Sequence, residues 1–137
     1  MKLDAITLYQ PWAQLILAGY KTIETRTHSK FARLKGRRIA IHAGRTFDIH
    51  SGEMTRPYLM EFTTLMRVVT EARLNMGVLL CTATVYDTGW LDACHSGAAL
   101  CDCSGRDRYG LFLCDVQPIV PTIPWRGSQG IFTVEVP

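Results

Sequence analysis

Several large function classes are excluded by what this chain lacks. No apolar run approaches the roughly 20 residues that a membrane-spanning helix needs. The opening Met1-Lys2-Leu3-Asp4 meets an acidic residue at once and has no secretory-signal layout, so a soluble, cytoplasmic protein without a membrane partner is expected. There is no phosphate loop, dinucleotide fingerprint, H-E-x-x-H helix or Ser-His-Asp pattern. Internal repeats and low-complexity linkers are also missing, and 137 residues suit a single domain over 1–137. Cysteine is present but odd in number: Cys81, Cys94, Cys101, Cys103 and Cys114. Without a secretion signal, that argues for free thiols. Cys94-His95 with Cys101-x-Cys103 does not have the C-x-x-C spacing of structural zinc, so neither metal nor cofactor is expected.

A second scarcity is local. No acidic residue interrupts positions 27–47. Residues 21–45 hold Lys21, Arg26, Lys30, Arg33, Lys35, Arg37, Arg38 and Arg45 against Glu24 alone. That segment therefore carries +7 within a chain of net +3, leaving −4 elsewhere. Such a concentration is the footprint of a polyanion partner, RNA or DNA, with Lys30, Arg33, Lys35, Arg37, Arg38 and Arg45 as its phosphate contacts. The plainer reading is a solvated loop that aids solubility. Aromatics over 27–47 are limited to Phe31 and Phe47, so base stacking would have to come from elsewhere.

What the chain has is a core: 47% hydrophobic residues against 20% charged. Strands are expected over Asp4–Leu8, Arg38–Ala43 (ending at the turn-like Gly44), Val78–Tyr86, Tyr109–Val116 and Gly130–Val136. Helical spacing runs through Pro57–Met76, and its apolar stripe reads as packing on a sheet. Residues 87–108 read as a long loop with one helical turn at most. Most strands are not separated by helices, which argues against a doubly wound sheet.

The most pointed pattern is Gly19-Tyr20-Lys21-Thr22-Ile23-Glu24-Thr25-Arg26, a G-x-K-x-x-E-x-R block just after Gln10-Pro11-Trp12-Ala13. A short helix fits Pro11–Ala18, stopped by Gly19. Extended chain follows, with Lys21, Ile23 and Thr25 on one face and Thr22, Glu24 and Arg26 on the other. The bland reading of Glu24 and Arg26 is a surface ion pair worth about 0–1 kcal/mol. The functional reading is a binding cleft. Trp12 would stack on a base, Gln10 would bond a base edge, and Lys21 and Arg26 would meet phosphates. Glu24 would organise those cations or, in an enzyme, act with Lys21 as a catalytic group. Arg126, in Trp125-Arg126-Gly127-Ser128-Gln129-Gly130, is a second wall of that cleft. His42 in its strand is an acid–base candidate, though a hydrogen-bonded strand histidine is the commoner case.

The Gln10–Ala13 segment, the G-x-K-x-x-E-x-R block and Pro124-Trp125-Arg126-Gly127 with Gly130-Ile131-Phe132 together resemble the ASCH family, named for homology to the activating signal cointegrator. The resemblance covers about Ile6 to the C-terminus. It implies an α+β fold, a small PUA-like β-barrel of five or six strands with two or more packed helices. It also implies one of two activities: binding of RNA, DNA or a nucleotide-like ligand, or a small hydrolase acting on N4-acylated cytidine or on RNA. In the amidohydrolase branch the strand reads G-x-K-T-x-T-x-R. Lys21 matches its lysine, whereas its second threonine corresponds to Glu24, so that hydroxyl is missing here. Glu71, on the expected helix, is no convincing match for that branch's distant glutamate.

Overall fold

The computed structural model describes residues 1–48, 61–105 and 107–137. Six strands form one sheet: β1 (Lys2–Gln10), β2 (Ile23–Arg26), β3 (Arg38–Phe47), β4 (Val78–Trp90), β5 (Tyr109–Pro124) and β6 (Phe132–Glu135). Among the described residues three α-helices accompany them: α1 (Trp12–Leu17), α2 (Phe62–Leu74) and the four-residue α3 (Ser96–Ala99). The order across the sheet is β2-β5-β4-β3-β1-β6. Only β1 and β3 run parallel; the other neighbours are antiparallel. An α+β fold is therefore formed, as expected. The sheet is open, with β2 and β6 at its edges, so the expected barrel is not closed.

Several strands run longer than their patterns predict. β3 continues through Gly44 to Phe47, and β4 reaches Trp90. β5 passes Pro118 to Pro124. Its pairing with β4 shifts register at three places, and Asp115 takes a positive φ of 49°. Bulges break the two-residue alternation on which a sequence reading of strands rests. Residues 87–108, expected as loop, supply the end of β4, a 3-10 turn at Ala93–His95 and α3. Of the helical stretch expected over 57–76, the part before residue 61 lies outside the described residues; α2 takes up 62–74.

The core fixes where a ligand can go. Ile6, Leu8, Ile39, Ile41, Leu80, Val85, Leu111 and Leu113 of the sheet enclose Ala13 and Ile16 of α1. Each large aliphatic buried this way contributes about 1.5–3 kcal/mol. Leu3, Ala5, Ala40, Leu79, Ile119 and Val134 pack on the opposite face, so the central strands are apolar on both sides. α1 is short yet held firmly. The Gln10 side-chain oxygen accepts from Gln14 N at 3.0 Å, satisfying an amide that the first helical turn leaves free. Gly19, with φ 88°, ends the segment as its pattern requires.

Candidate functional site

The ends of β1, β2 and β3 and the segment between β5 and β6 enclose an open cleft of about 1410 Å³. Thr7, Trp12, Lys21, Glu24, Arg26, Lys30, Phe31, His42, Arg45, Cys101, Trp125 and Arg126 are among its walls. The G-x-K-x-x-E-x-R block lies on the floor, but not as the alternation predicted. The strand starts only at Ile23, so Lys21 precedes it and is not bound by its two-residue rule. Lys21 and Glu24 consequently both reach the cleft, and both are buried, at 3% and 7% exposure.

Each of these side chains has a defined set of partners. Lys21 Nζ donates to the Ala99 carbonyl and stands 5.3 Å from the centre of the Trp12 ring. Glu24 Oε1 accepts from Thr25 N at 2.8 Å, and its Oε2 lies 3.7 Å from the Arg26 guanidinium. Arg26 is anchored by the Thr7 carbonyl at 3.1 Å and by the Phe31 ring, 4.8 Å from its guanidinium carbon. Its Nε is buried and has no partner among the described residues. The Trp12 indole N–H donates to Asp48 at 3.1 Å, which fixes the ring's orientation.

The basic segment is divided by the fold. Lys30 and Arg45 line the cleft and are exposed, as is Arg126. The other four candidate phosphate contacts lie outside it. Arg33 and Arg37 share the Asp4 carboxylate at 3.4 Å each, Lys35 pairs with Asp87 at 3.2 Å, and Arg38 pairs with Asp115 at 3.1 Å. The acids that balance them come from distant strands, so a run of residues 27–47 read by itself overstates the field. Gln10 is also absent from the cleft. It is fully buried, with its amide nitrogen donating to Asn75 O at 2.8 Å and its oxygen taken by Gln14. It serves α1 instead of facing a ligand. Glu71 bonds the Gln14 side chain at 3.5 Å and does not line the cleft.

The structure adds residues that sequence reasoning passed over. Tyr9, 55% exposed, stands on the cleft wall beside the buried Gln10. Thr7 faces His42 across the parallel β1–β3 pair, and its hydroxyl lies 3.1 Å from His42 Nδ1. His42 Nε2 lies 2.7 Å from the Trp125 carbonyl. A carbonyl only accepts, so Nε2 carries the proton and Nδ1 accepts from Thr7. Burial, opposed by that carbonyl bond and joined by the Arg45 charge, lowers the imidazole pKa below its ordinary 6.5. The register of β3 against β4 shifts between Ile41 and His42, a bulge that re-aims the ring. Gly127 sits against it: a Cβ there would meet His42 Cε1 at 2.6 Å and Thr7 Oγ1 at 2.8 Å.

The cysteines separate. Cys101 and Cys103 are buried with Ile23, Leu91 and Ala99, their sulfurs 3.8 Å apart, and burial followed by the Cys101 neighbour pushes the Cys103 thiol up to about 12. Asp92, Cys94 and His95 gather within 4.8 Å of one another. Their contacts are those of a reciprocal cap, with Asp92 accepting from Cys94 N and His95 Nδ1 accepting from Asp92 N. Among the described residues, no helix is long and apolar enough to cross a membrane.

Comparison with known proteins agrees with the fold. The family model described as "ASCH domain" matches residues 6–104. The fold is similar to the crystal structure of ASCH from Zymomonas mobilis, at 16% identity and a TM-score of 0.60, over 96% of this chain and 87% of that one. Two mutant forms of the same bacterial protein align at TM-scores of 0.55 and 0.56 and 17% and 16% identity, each over 96% of this chain and over 87% and 89% of theirs. A search of the curated proteins gives no match.

Proposed function

The chain belongs to the ASCH domain family, and from that premise we propose that it binds RNA, or a nucleotide-like ligand, in the cleft around Lys21, Glu24 and Arg26. One observation carries this reading: the graded chemistry of the cleft. Its floor holds buried Lys21 and Glu24 beside Trp12, and its mouth holds exposed Lys30, Arg45 and Arg126. Cations at a wide mouth attract phosphates and raise association rates. A polar floor beside an aromatic ring suits a base taken out of a stack. Burial of an ammonium and a carboxylate costs several kcal/mol unless both are paired, so a folded chain gains little from such a floor without a ligand.

The test is a gel shift with single-stranded RNA and DNA at two salt concentrations. Lys21→Ala combined with Arg26→Ala abolishes binding while far-UV circular dichroism is retained. Unchanged retention of RNA by that double variant would sink the assignment. Wild-type affinity falls as salt rises, because bound phosphates release counterions.

A second reading, a small hydrolase in the same cleft, has one specific observation in its favour. The Thr7 hydroxyl, the His42 imidazole and the Trp125 carbonyl form a nucleophile–base–orienter chain at the cleft wall. Lys21 and Glu24 are the other catalytic candidates. Turnover separates the readings: an enzyme converts N4-acetylcytidine or RNA in excess over itself, and a binder does not.

A further inference from the structure

Resting on that reading of the cleft, we propose that the base it accepts is guanine, held on its Watson–Crick edge by Glu24 and Lys21. The two side chains are almost completely buried yet under-partnered. Glu24 Oε1 takes one amide hydrogen, from Thr25, and Oε2 is 3.7 Å from Arg26, beyond hydrogen-bonding distance. Lys21 has three N–H donors. One goes to the Ala99 carbonyl, and among the described residues no carboxylate lies within ion-pair distance. The cleft floor therefore offers an acceptor with room for further donors and a cation with room for an acceptor.

Guanine fits that demand. Its edge presents the O6 acceptor followed by two adjacent donors, N1–H and the 2-amino group. A carboxylate receives both donors, and an ammonium gives to O6. The other standard bases each set a lone pair where guanine sets a donor. Adenine would turn N1, cytosine N3 and O2, and uracil a carbonyl oxygen toward Glu24, and like-charged or lone-pair contacts in a desolvated site are costly. The Trp12 ring, oriented by its bond to Asp48, supplies a face beside the same floor. A base seated there places its 5′-phosphate toward the mouth, where Lys30, Arg45 and Arg126 stand.

The experiment is a fluorescence titration with GMP, IMP, AMP, CMP and UMP at one low salt concentration, since Trp12 and Trp125 both line the cleft. GMP binds tightest. IMP lacks only the 2-amino group and binds about tenfold more weakly. In Glu24→Gln an amide N–H₂ opposes one of the guanine donors, and the preference for GMP over AMP collapses to within about threefold. The GMP–IMP comparison uses the unaltered protein and decides the matter even if that variant folds poorly. GMP and IMP within threefold of each other, a different nucleotide binding tightest, or a GMP preference that survives in a folded Glu24→Gln variant would each overturn the guanine assignment and leave the cleft standing. Failure of all five nucleotides to bind would overturn the cleft reading, and the guanine assignment with it.

Discussion

Replacing Gly127 by alanine tests how closely the wall segment 125–130 is fitted to the sheet. The added methyl carbon would lie 2.6 Å from His42 Cε1, 2.7 Å from Nδ1 and 2.8 Å from Thr7 Oγ1. Carbon atoms settle at about 3.5–4.0 Å, so the methyl is about 1 Å too close to the ring. The ring has nowhere to go. It is 2% exposed and bonded at both nitrogens, and any shift stretches its 2.7 Å bond to the Trp125 carbonyl. The wall must lift instead. Overpacking of this kind costs about 1–3 kcal/mol, a fall of several degrees in Tm for a domain of this size. Gly97 is the control. It lies in α3 with nothing within 4 Å of an added Cβ, so Gly97→Ala is neutral or gains up to about 1 kcal/mol. Urea unfolding of both variants, followed by circular dichroism, gives the difference. The reasoning fails if Gly127→Ala is as stable as Gly97→Ala, or if its penalty is undiminished in a His42→Ala background, where the obstructing ring is gone.

Three further outcomes are expected. His42 has its pKa lowered chiefly by burial, so below about pH 6.5 the unfolded chain takes up a proton that the native chain refuses. The stabilisation from neutral His42 is complete above that pH and is lost as pH falls toward the folded value. Unfolding free energy measured between pH 7 and 5 should therefore decline less steeply in His42→Asn than in wild type, and equal slopes would contradict the assignment. Neutralising the cleft cations, Lys30→Ala with Arg45→Ala, should weaken RNA binding by about tenfold or more and reduce its salt slope by about two. Arg33→Ala with Arg37→Ala, both outside the cleft, should change it by less than about threefold, and the reverse ranking would move the interface away from the cleft. Thiol titration of the native protein should label the exposed Cys94 and Cys114 quickly and the other three only after denaturation. Rapid labelling of Cys81, whose thiol burial pushes up to about 12, would contradict its place in the core.

Local chemistry was legible in the sequence, and long-range assembly was not. The helix after Pro11 and its stop at Gly19 follow from backbone rules that act within a few residues. Lys21, Glu24, Arg26, Trp12 and Arg126 do converge on one cleft, as their patterns indicated. Gln10 misled because a buried amide and a ligand-facing amide look identical until Asn75 and Gln14 are placed beside it. The basic segment misled for a related reason: Asp4, Asp87 and Asp115 are remote in sequence but adjacent in space. The length of β5 escaped notice because bulges and Pro118 interrupt the pattern that marks a strand. Thr7 gave no signal, and His42, a candidate from its strand position, meets it only through the β1–β3 register.

The pairing of residues 2–5 with residues 132–135 has a bearing on how the cleft wall is held. Segment 125–130 is tied to the sheet at both ends, by the Trp125 bonds to Gly77 and His42 and by β6 beside β1. Non-local pairing of this sort slows folding. A chain in which β1 and β3 have paired but β6 has not lacks the firm last wall of the cleft. Completion of that wall thus couples the cleft to the most sequence-distant pairing in the sheet.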